Sequence, residues 1–282
     1  MNQAAQKSEV AKYWNKQPCG TGITSAEKFT RQYFDEIEEH RYQVEPEIFS
    51  FAQFTRFRGE KVLEVGVGAG TDFIQWVRAG AKAYGIDLTE HGVEHVKHRL
   101  DVYGLRAEDV RVADAESLPY TDESFDLVYS YGVIHHSPDT IKALEEIIRC
   151  TKIGGTIKFM VYNKHSCTSF YQYLRFGLLK GKPLISISDV MFQHQESIGT
   201  KVYTVREMRR ILSKYPVAVK AIGTKATKYD LMWNRPIMRR VLANLLVRIL
   251  GPERCGWFLT VELKKTGPWP NSSERRVLRV QK

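Results

Sequence analysis

The run Val62-Leu63-Glu64-Val65-Gly66-Val67-Gly68-Ala69-Gly70-Thr71-Asp72 is an apolar stretch that ends in an acid and breaks into alternating glycines. Glycine removes the Cβ that would hold a ligand off the backbone, and it accepts the positive φ that a tight strand-to-helix turn demands. Such a loop cradles a small molecule at the carboxyl end of a strand. Dinucleotide enzymes use G-x-G-x-x-G; here Gly66, Gly68 and Gly70 run G-x-G-x-G and Thr71 follows, which argues against NAD. Two more acids end apolar runs further on. Asp87 closes Ala81–Ile86, where doubly wound folds hydrogen-bond a ribose, and Asp114 follows Val110-Arg111-Val112, where an exocyclic adenine amine needs an acceptor. Helix capping is the other use open to both carboxylates. His135, His136 and His165 are the candidate bases, because imidazole titrates close to working pH and suits proton removal from a phenol, an amine or an activated carbon acid.

Strands and helices in strict alternation must position these groups. Apolar runs at 62–65, 81–87, 110–112, 125–129 and 154–161 read as strands, and Thr140–Thr151 as the helix before the fifth. The histidine pair follows the fourth strand and His165 follows the fifth. The pattern predicts an α/β chain with a doubly wound, mostly parallel sheet.

At this point the sequence resembles the class I S-adenosylmethionine-dependent methyltransferases, and among them the ubiquinone/menaquinone-biosynthesis-like small-molecule group (methyltransferase type 11). LEVGVGAGTD at 63–72, GIDLT at 85–89, ADAESLPYTDESFDLVYS at 113–130, GVIHHSPD at 132–139 and TKIGGTIKF at 151–159 carry the resemblance, in order, over residues 55–165. It implies a Rossmann-like, seven-stranded, mostly parallel sheet with helices on both faces and a helical cap insertion, with S-adenosylmethionine as cofactor. Residue by residue, it implies that Glu64 helps hold the methionine amino end and that the backbone of Gly66, Gly68 and Gly70 passes under the cofactor, with Thr71 and Asp72 beside it. Asp87 takes the ribose, Leu88 packs on the adenine, and Asp114 with the amide of Ala115 reads the adenine edge. The backbone of Tyr131 and Gly132 lines the methionine side. In similar enzymes an aromatic N-terminal segment folds over the cofactor, which makes Tyr13 and Trp14 lid candidates; stapling the first helix to the sheet is their alternative use. The expected chemistry is methyl transfer to an O, N or C atom of a small-molecule acceptor, with no metal. A lipid or quinone acceptor met at a membrane surface, an RNA-binding methyltransferase and a non-catalytic cofactor-binding module stay open. The loop after the fourth strand lacks the Asn/Asp-Pro-Pro-aromatic segment of base-amino methyltransferases, which disfavours a nucleic-acid substrate.

Around that core the sequence divides into an N-terminal helical lid segment (1–58), the cofactor-binding core (59–165), a helical cap insertion (166–214) and C-terminal strands interrupted by a basic amphipathic helix (215–282). Thr24–Phe34 and a stretch from Glu45 or Glu47 to Phe57 read as helices. In the insertion Ser169–Leu179 is helical, and Thr204–Leu212 begins with a capping box of Thr204 and Glu207. Tyr203, Gln193 and His194 are its candidate acceptor contacts. Val217–Ile222 and Trp257–Leu263 are the last two strands. The helix from Pro236 to Leu250 sets Ile237, Val241, Leu245, Ile249, Met238, Leu242 and Leu246 on an apolar side against Arg239, Arg240 and Arg248. Packing on the domain, a homodimer contact and a peripheral membrane contact are the uses open to it. The net charge of +10 sits at this end: residues 201–282 hold 19 Lys and Arg against 5 Asp and Glu, a net of +14, and residues 1–200 hold 23 against 27, a net of −4. Cys19, Cys150, Cys167 and Cys255 form no C-x-x-C pair, so reduced thiols without zinc or disulfides are expected. No apolar run reaches the length of a membrane span and the N-terminus starts no signal peptide, so a cytoplasmic chain is expected.

Overall fold

A computed structural model describes residues 2–16, 20–231 and 237–269. Cys19, Pro236 and the side chains of Met238, Arg239, Leu242 and Leu246 lie outside the described residues. Three helices open the chain, α1 (Gln3–Lys16), α2 (Arg31–Val44) and α3 (Glu47–Ala52), the last continuing into a single turn at Phe54–Phe57. Strand and helix alternate through β1 (Lys61–Val65), α4 (Thr71–Arg78), β2 (Lys82–Asp87), α5 (Glu90–Tyr103) and β3 (Asp109–Val112); β4 (Phe125–Tyr131) then follows without an intervening helix, a break in the strict alternation expected from the sequence, before α6 (Thr140–Cys150) and β5 (Thr151–Asn163). The remainder is α7 (Cys167–Phe176), α8 (Ile187–His194), β6 (Val202–Tyr203), α9 (Val205–Leu212), β7 (Val217–Lys225), α10 (Ile237–Leu250) and β8 (Phe258–Lys265).

The sheet has eight strands, ordered β3-β2-β1-β4-β5-β8-β7, with the two-residue β6 paired to β5. All pairings are parallel except those of β8, which runs antiparallel to β5 and to β7. The winding therefore reverses between β1 and β4, the switch point where the loops at the carboxyl ends part and leave a crevice. The central strands are apolar without alternation because both faces are covered: Val62, Leu63, Val65, Leu127, Val128 and Tyr129 are all buried. Trp76, Phe54 and Phe57 pack on one face; Ile147, Ile148, Met208 and Leu212 pack on the other.

The N-terminal third departs from the sequence reading. The helix expected at 24–34 begins only at Arg31, where Thr30 supplies the cap by accepting the Tyr33 N–H, and it runs on to Val44, just ahead of Pro46. α1 and α8, and the short β6, have no counterpart in that reading, since each is brief or weakly periodic. The capping box at Thr204 and Glu207 is present. Cys150, Cys167 and Cys255 are free thiols. No described helix is long and apolar enough to cross a membrane.

Candidate active site

β1 delivers the chain to the switch point at Val65, and the glycines then turn it. Gly66 has φ 84°, and a Cβ there would stand 2.4 Å from the Val133 side chain, so this glycine lets the loop after β4 close against the loop after β1. Gly68 also has positive φ, but a Cβ there would meet no protein atom within 4 Å: its open side is a cradle facing the cavity. Asp87, at the end of β2, fixes this loop. Its Oδ2 accepts the Gly68 N–H at 2.9 Å, and its Oδ1 accepts the Thr89 N–H at 2.9 Å and the Thr89 hydroxyl at 2.7 Å. Gly70 lies off the cavity wall; a Cβ there would press on Val96 at 2.9 Å, so it serves the packing of α4 on α5.

Beneath the loop lies a buried acidic layer. Glu64 accepts the Trp76 indole N–H at 2.8 Å, and burial together with the Asp72 carboxylate pushes its pKa well above the ordinary value. Asp72, in the first turn of α4, accepts hydroxyls from Tyr129 at 3.0 Å and Tyr42 at 3.3 Å. Arg41 of α2 supplies the cation, its guanidinium 3.6 Å from Asp72 and 2.9 Å from Glu45. Burial raises Glu45 to about 7.

α1 lies over Asp114 and Glu116, at the carboxyl end of β3. Lys7 donates to Asp114 Oδ2 at 2.5 Å and to Glu116 Oε2 at 2.8 Å, while Asp114 Oδ1 accepts the Glu116 N–H at 2.9 Å. Trp14 reaches the other end of the cavity and sets its edge against His136, with ring centroids 5.3 Å apart. Tyr13 is exposed, packs edge-on to Trp14 and lies off the wall.

These walls enclose a cavity of about 520 Å³. Glu64, Gly66, Gly68, Thr71, Asp72, Asp87, Leu88, Asp114, Ala115, Tyr131, Gly132, Trp14 and His136 all line it. The far half is aromatic: Tyr162 stacks on Trp257 at 4.0 Å, with Phe258, Tyr229, Tyr171 and Met160 around them. The antiparallel register of β5 and β8 sets Tyr162 opposite Phe258.

The three histidines take separate places. His136 lies at the junction of the two halves. Its Nδ1 is 2.9 Å from Thr200 Oγ1 and 3.0 Å from Ser197 Oγ, and its Nε2 is 3.3 Å from Glu196 Oε2. Tyr162 donates to the same carboxylate, at 3.0 Å to Oε2. Glu196 reaches this position in a left-handed conformation, φ 52°, which costs a non-glycine residue about 1–3 kcal/mol. His135 is fully buried behind the wall against Tyr162, without a partner for either ring nitrogen, and burial, His136 and Lys201 lower its pKa well below the ordinary value. His165 is exposed and borders a second, shallower hollow. Tyr203, Gln193 and His194 stay off the cavity, whereas Gln195 and Glu196 line it. Arg41, Glu45, Tyr162, Glu196 and Trp257 escaped the sequence reading, because none lies in a motif and they come from α2 and its C-cap, β5, the turn after α8 and the residue before β8.

The lining suits an adenosyl compound: an open glycine cradle, an acceptor-only carboxylate at the end of β2 and another after β3. The comparisons agree. Residues 63–159 match the family model described as a methyltransferase domain. A malonyl-(acyl-carrier protein) O-methyltransferase from Erwinia billingiae is 33% identical over 43% of this chain and 45% of its own. Phthiotriol/phenolphthiotriol dimycocerosates methyltransferase 1 from Mycobacterium ulcerans is 33% identical over 63% of this chain and 65% of its own. The chain thus spans about half to two thirds of these curated relatives. Their names speak of acyl and mycocerosate acceptors rather than quinones. Among solved structures, geranyl diphosphate C-methyltransferase from Streptomyces coelicolor, in complex with S-adenosyl-L-homocysteine, superposes with TM-score 0.61 at 13% identity, covering 92% of this chain and 98% of that one. The segment matched at 63–159 is a methyltransferase domain, and the fold around its glycine loop and strand-end acids is similar to that of S-adenosylmethionine-dependent methyltransferases.

Proposed function

We propose that the chain transfers a methyl group from S-adenosylmethionine to an O, N or C atom of a small, largely apolar acceptor. One observation carries the reading: the glycine and carboxylate residues and the aromatic residues line one and the same cavity. A nucleoside held on Asp87 and Asp114 then points its reactive end at whatever lies among Tyr162, Trp257, Phe258 and Tyr229. When bound, the cofactor supplies an electrophilic methyl on a sulfonium. The residues here align the acceptor, exclude water and take a proton where the acceptor carries one. The mycocerosate name of one relative supports an apolar acceptor of lipid type.

His136 is the base in this reading. The Thr200 hydroxyl hydrogen is committed to a main-chain carbonyl, with Oγ1 2.7 Å from the carbonyl oxygens of both Gln195 and Ser197. Toward Nδ1 that oxygen is therefore an acceptor, which assigns the ring hydrogen to Nδ1 and leaves the lone pair on Nε2, which is buried 3.3 Å from Glu196 Oε2. A proton taken at Nε2 is met by the Glu196 carboxylate. Calorimetry with S-adenosylhomocysteine, followed by labelled-methyl transfer over a panel of hydroxylated acyl, isoprenoid and phenolic acceptors, tests the proposal. His136→Ala keeps the affinity and lowers turnover by roughly a hundredfold, the ordinary worth of a positioned base. Heat with a nicotinamide nucleotide and none with either adenosyl compound would overturn it.

A further inference from the structure

α10 turns its large apolar side chains outward. Ile237, Val241, Leu245 and Ile249 are 76%, 61%, 54% and 72% exposed, while Ala243 and Val247 on the opposite side are buried. A spacing of four keeps these large residues on one stripe. Exposed Arg240, Asn244 and Arg248 border it. The stripe continues around the end of the helix: Leu250 and Phe170 of α7 line an apolar hollow of about 330 Å³ with Ile187, Cys167 and Cys255, and Lys164 and His165 also border it. Beyond α7 the turn at 178–184 exposes Leu178, Leu179 and Leu184, the last at 98%, with exposed Lys180 and Lys182 between them. Neither 164–184 nor 237–250 contains an Asp or Glu.

We propose that α10 and the α7 turn form a docking face for a membrane surface rich in anionic phospholipid. An apolar stripe whose own segments carry cations and no carboxylate, with exposed Asp189 and Glu253 just beyond them, is what an interfacial helix presents, apolar side in the acyl boundary and cations at the headgroups. A second copy fits poorly, since a two-fold interface would set these arginines and lysines against their own images. RNA fits poorly as well, because the exposed residues are mostly aliphatic and offer few faces for bases to stack on. The opposite side of α7 supplies Tyr171, Gln172 and Arg175 to the cavity, so one helix separates the docking face from the aromatic chamber. The use of this face to deliver an apolar acceptor rests on the methyl transfer proposed above; the docking itself does not.

The test is co-sedimentation of the full chain with vesicles of phosphatidylcholine alone and with equimolar phosphatidylcholine and phosphatidylglycerol. The chain pellets with the anionic vesicles, and salt releases it. Joint replacement Ile237→Ser, Val241→Ser, Leu245→Ser and Ile249→Ser weakens partition on the order of tenfold or more, and Arg240→Glu with Arg248→Glu removes the preference for the anionic lipid. Unchanged calorimetric affinity for S-adenosylhomocysteine in both variants shows that they fold. Wild type left in the supernatant, equal pelleting of the serine variant, retention on RNA in place of vesicles, or a dimer in light scattering that the serine variant loses would each overturn the docking face. Vesicle binding by a chain that fails to bind the adenosyl compounds would leave docking standing and remove methyl transfer.

Discussion

Replacing Asp87 by Asn separates its charge from its shape. Oδ2 takes the Gly68 N–H and Oδ1 takes both the N–H and the hydroxyl of Thr89, so every neighbour is a donor. An amide nitrogen must oppose either the Gly68 N–H or the Thr89 N–H, and neither main-chain donor can turn away. The carboxylate also loses the acceptor capacity that a ribose would engage. A hydrogen bond to a charged group is worth about 1.5–3 kcal/mol, so affinity for S-adenosylhomocysteine falls roughly tenfold to 150-fold. Gly92→Ala probes the same atom from behind: its Cβ would stand 2.7 Å from Asp87 Cγ, displacing the carboxylate without discharging it. Isothermal calorimetry on ligand-stripped protein reads both variants. Affinities within twofold of wild type in both, with native thermal stability, would refute the assignment of Asp87 as the clamp of the cofactor loop.

Lys7→Met removes both ion pairs that hold α1 over Asp114 and Glu116. At about 0.5–1 kcal/mol for each partly exposed pair, stopped-flow release of S-adenosylhomocysteine quickens several-fold; an unchanged off-rate would show that α1 is held by other contacts. Glu45→Gln tests a pH linkage. The ordinary value for this acid is 4.5 and burial raises it to about 7, so between these values the native state binds the extra proton and stability falls as pH rises. The penalty, on the order of 3 kcal/mol at neutral pH by linkage, is absent from the Gln variant, whose melting temperature therefore gains on wild type from pH 4.5 to pH 7. Parallel melting curves across that range would refute it.

The cofactor half was legible because its chemistry is contiguous. Strand ends place Gly68, Asp87 and Asp114 wherever the sheet forms, and the sheet is written in apolar runs buried on both faces. The acceptor half is assembled across the chain. Tyr162 meets Phe258 only through antiparallel pairing of β5 with β8, and Glu196 reaches His136 only through a left-handed turn after α8. The spread between the histidines has a local cause. The single turn at Ile134–His136 directs His136 to the cavity and packs His135 inward, whereas the Asn163 side chain accepts the His165 N–H as the chain turns toward α7, leaving His165 exposed at the second hollow. For α10, periodicity reported an apolar side but not its direction. Val247 packs with Cys167 and Cys255, and Ala243 one turn before it is buried too, which turns the bulkier stripe outward.

α1 touches both halves of the cavity, Lys7 at the adenine carboxylate and Trp14 at His136, so a cofactor seated beneath it is enclosed at both ends by one helix. Asp114 then has two claimants, since the oxygen that Lys7 holds belongs to the carboxylate that would read the adenine amine. A carboxylate accepts more than one donor, so Lys7 and an adenine amine could both bond to Asp114 while sharing its charge. The acceptor side has no such tie: its wall is α7, whose Tyr171, Gln172 and Arg175 face the cavity while its Phe170 borders the exposed hollow. In the proposed reading, a nucleoside would lie under α1 and an acceptor would enter past α7, next to the apolar face of α10.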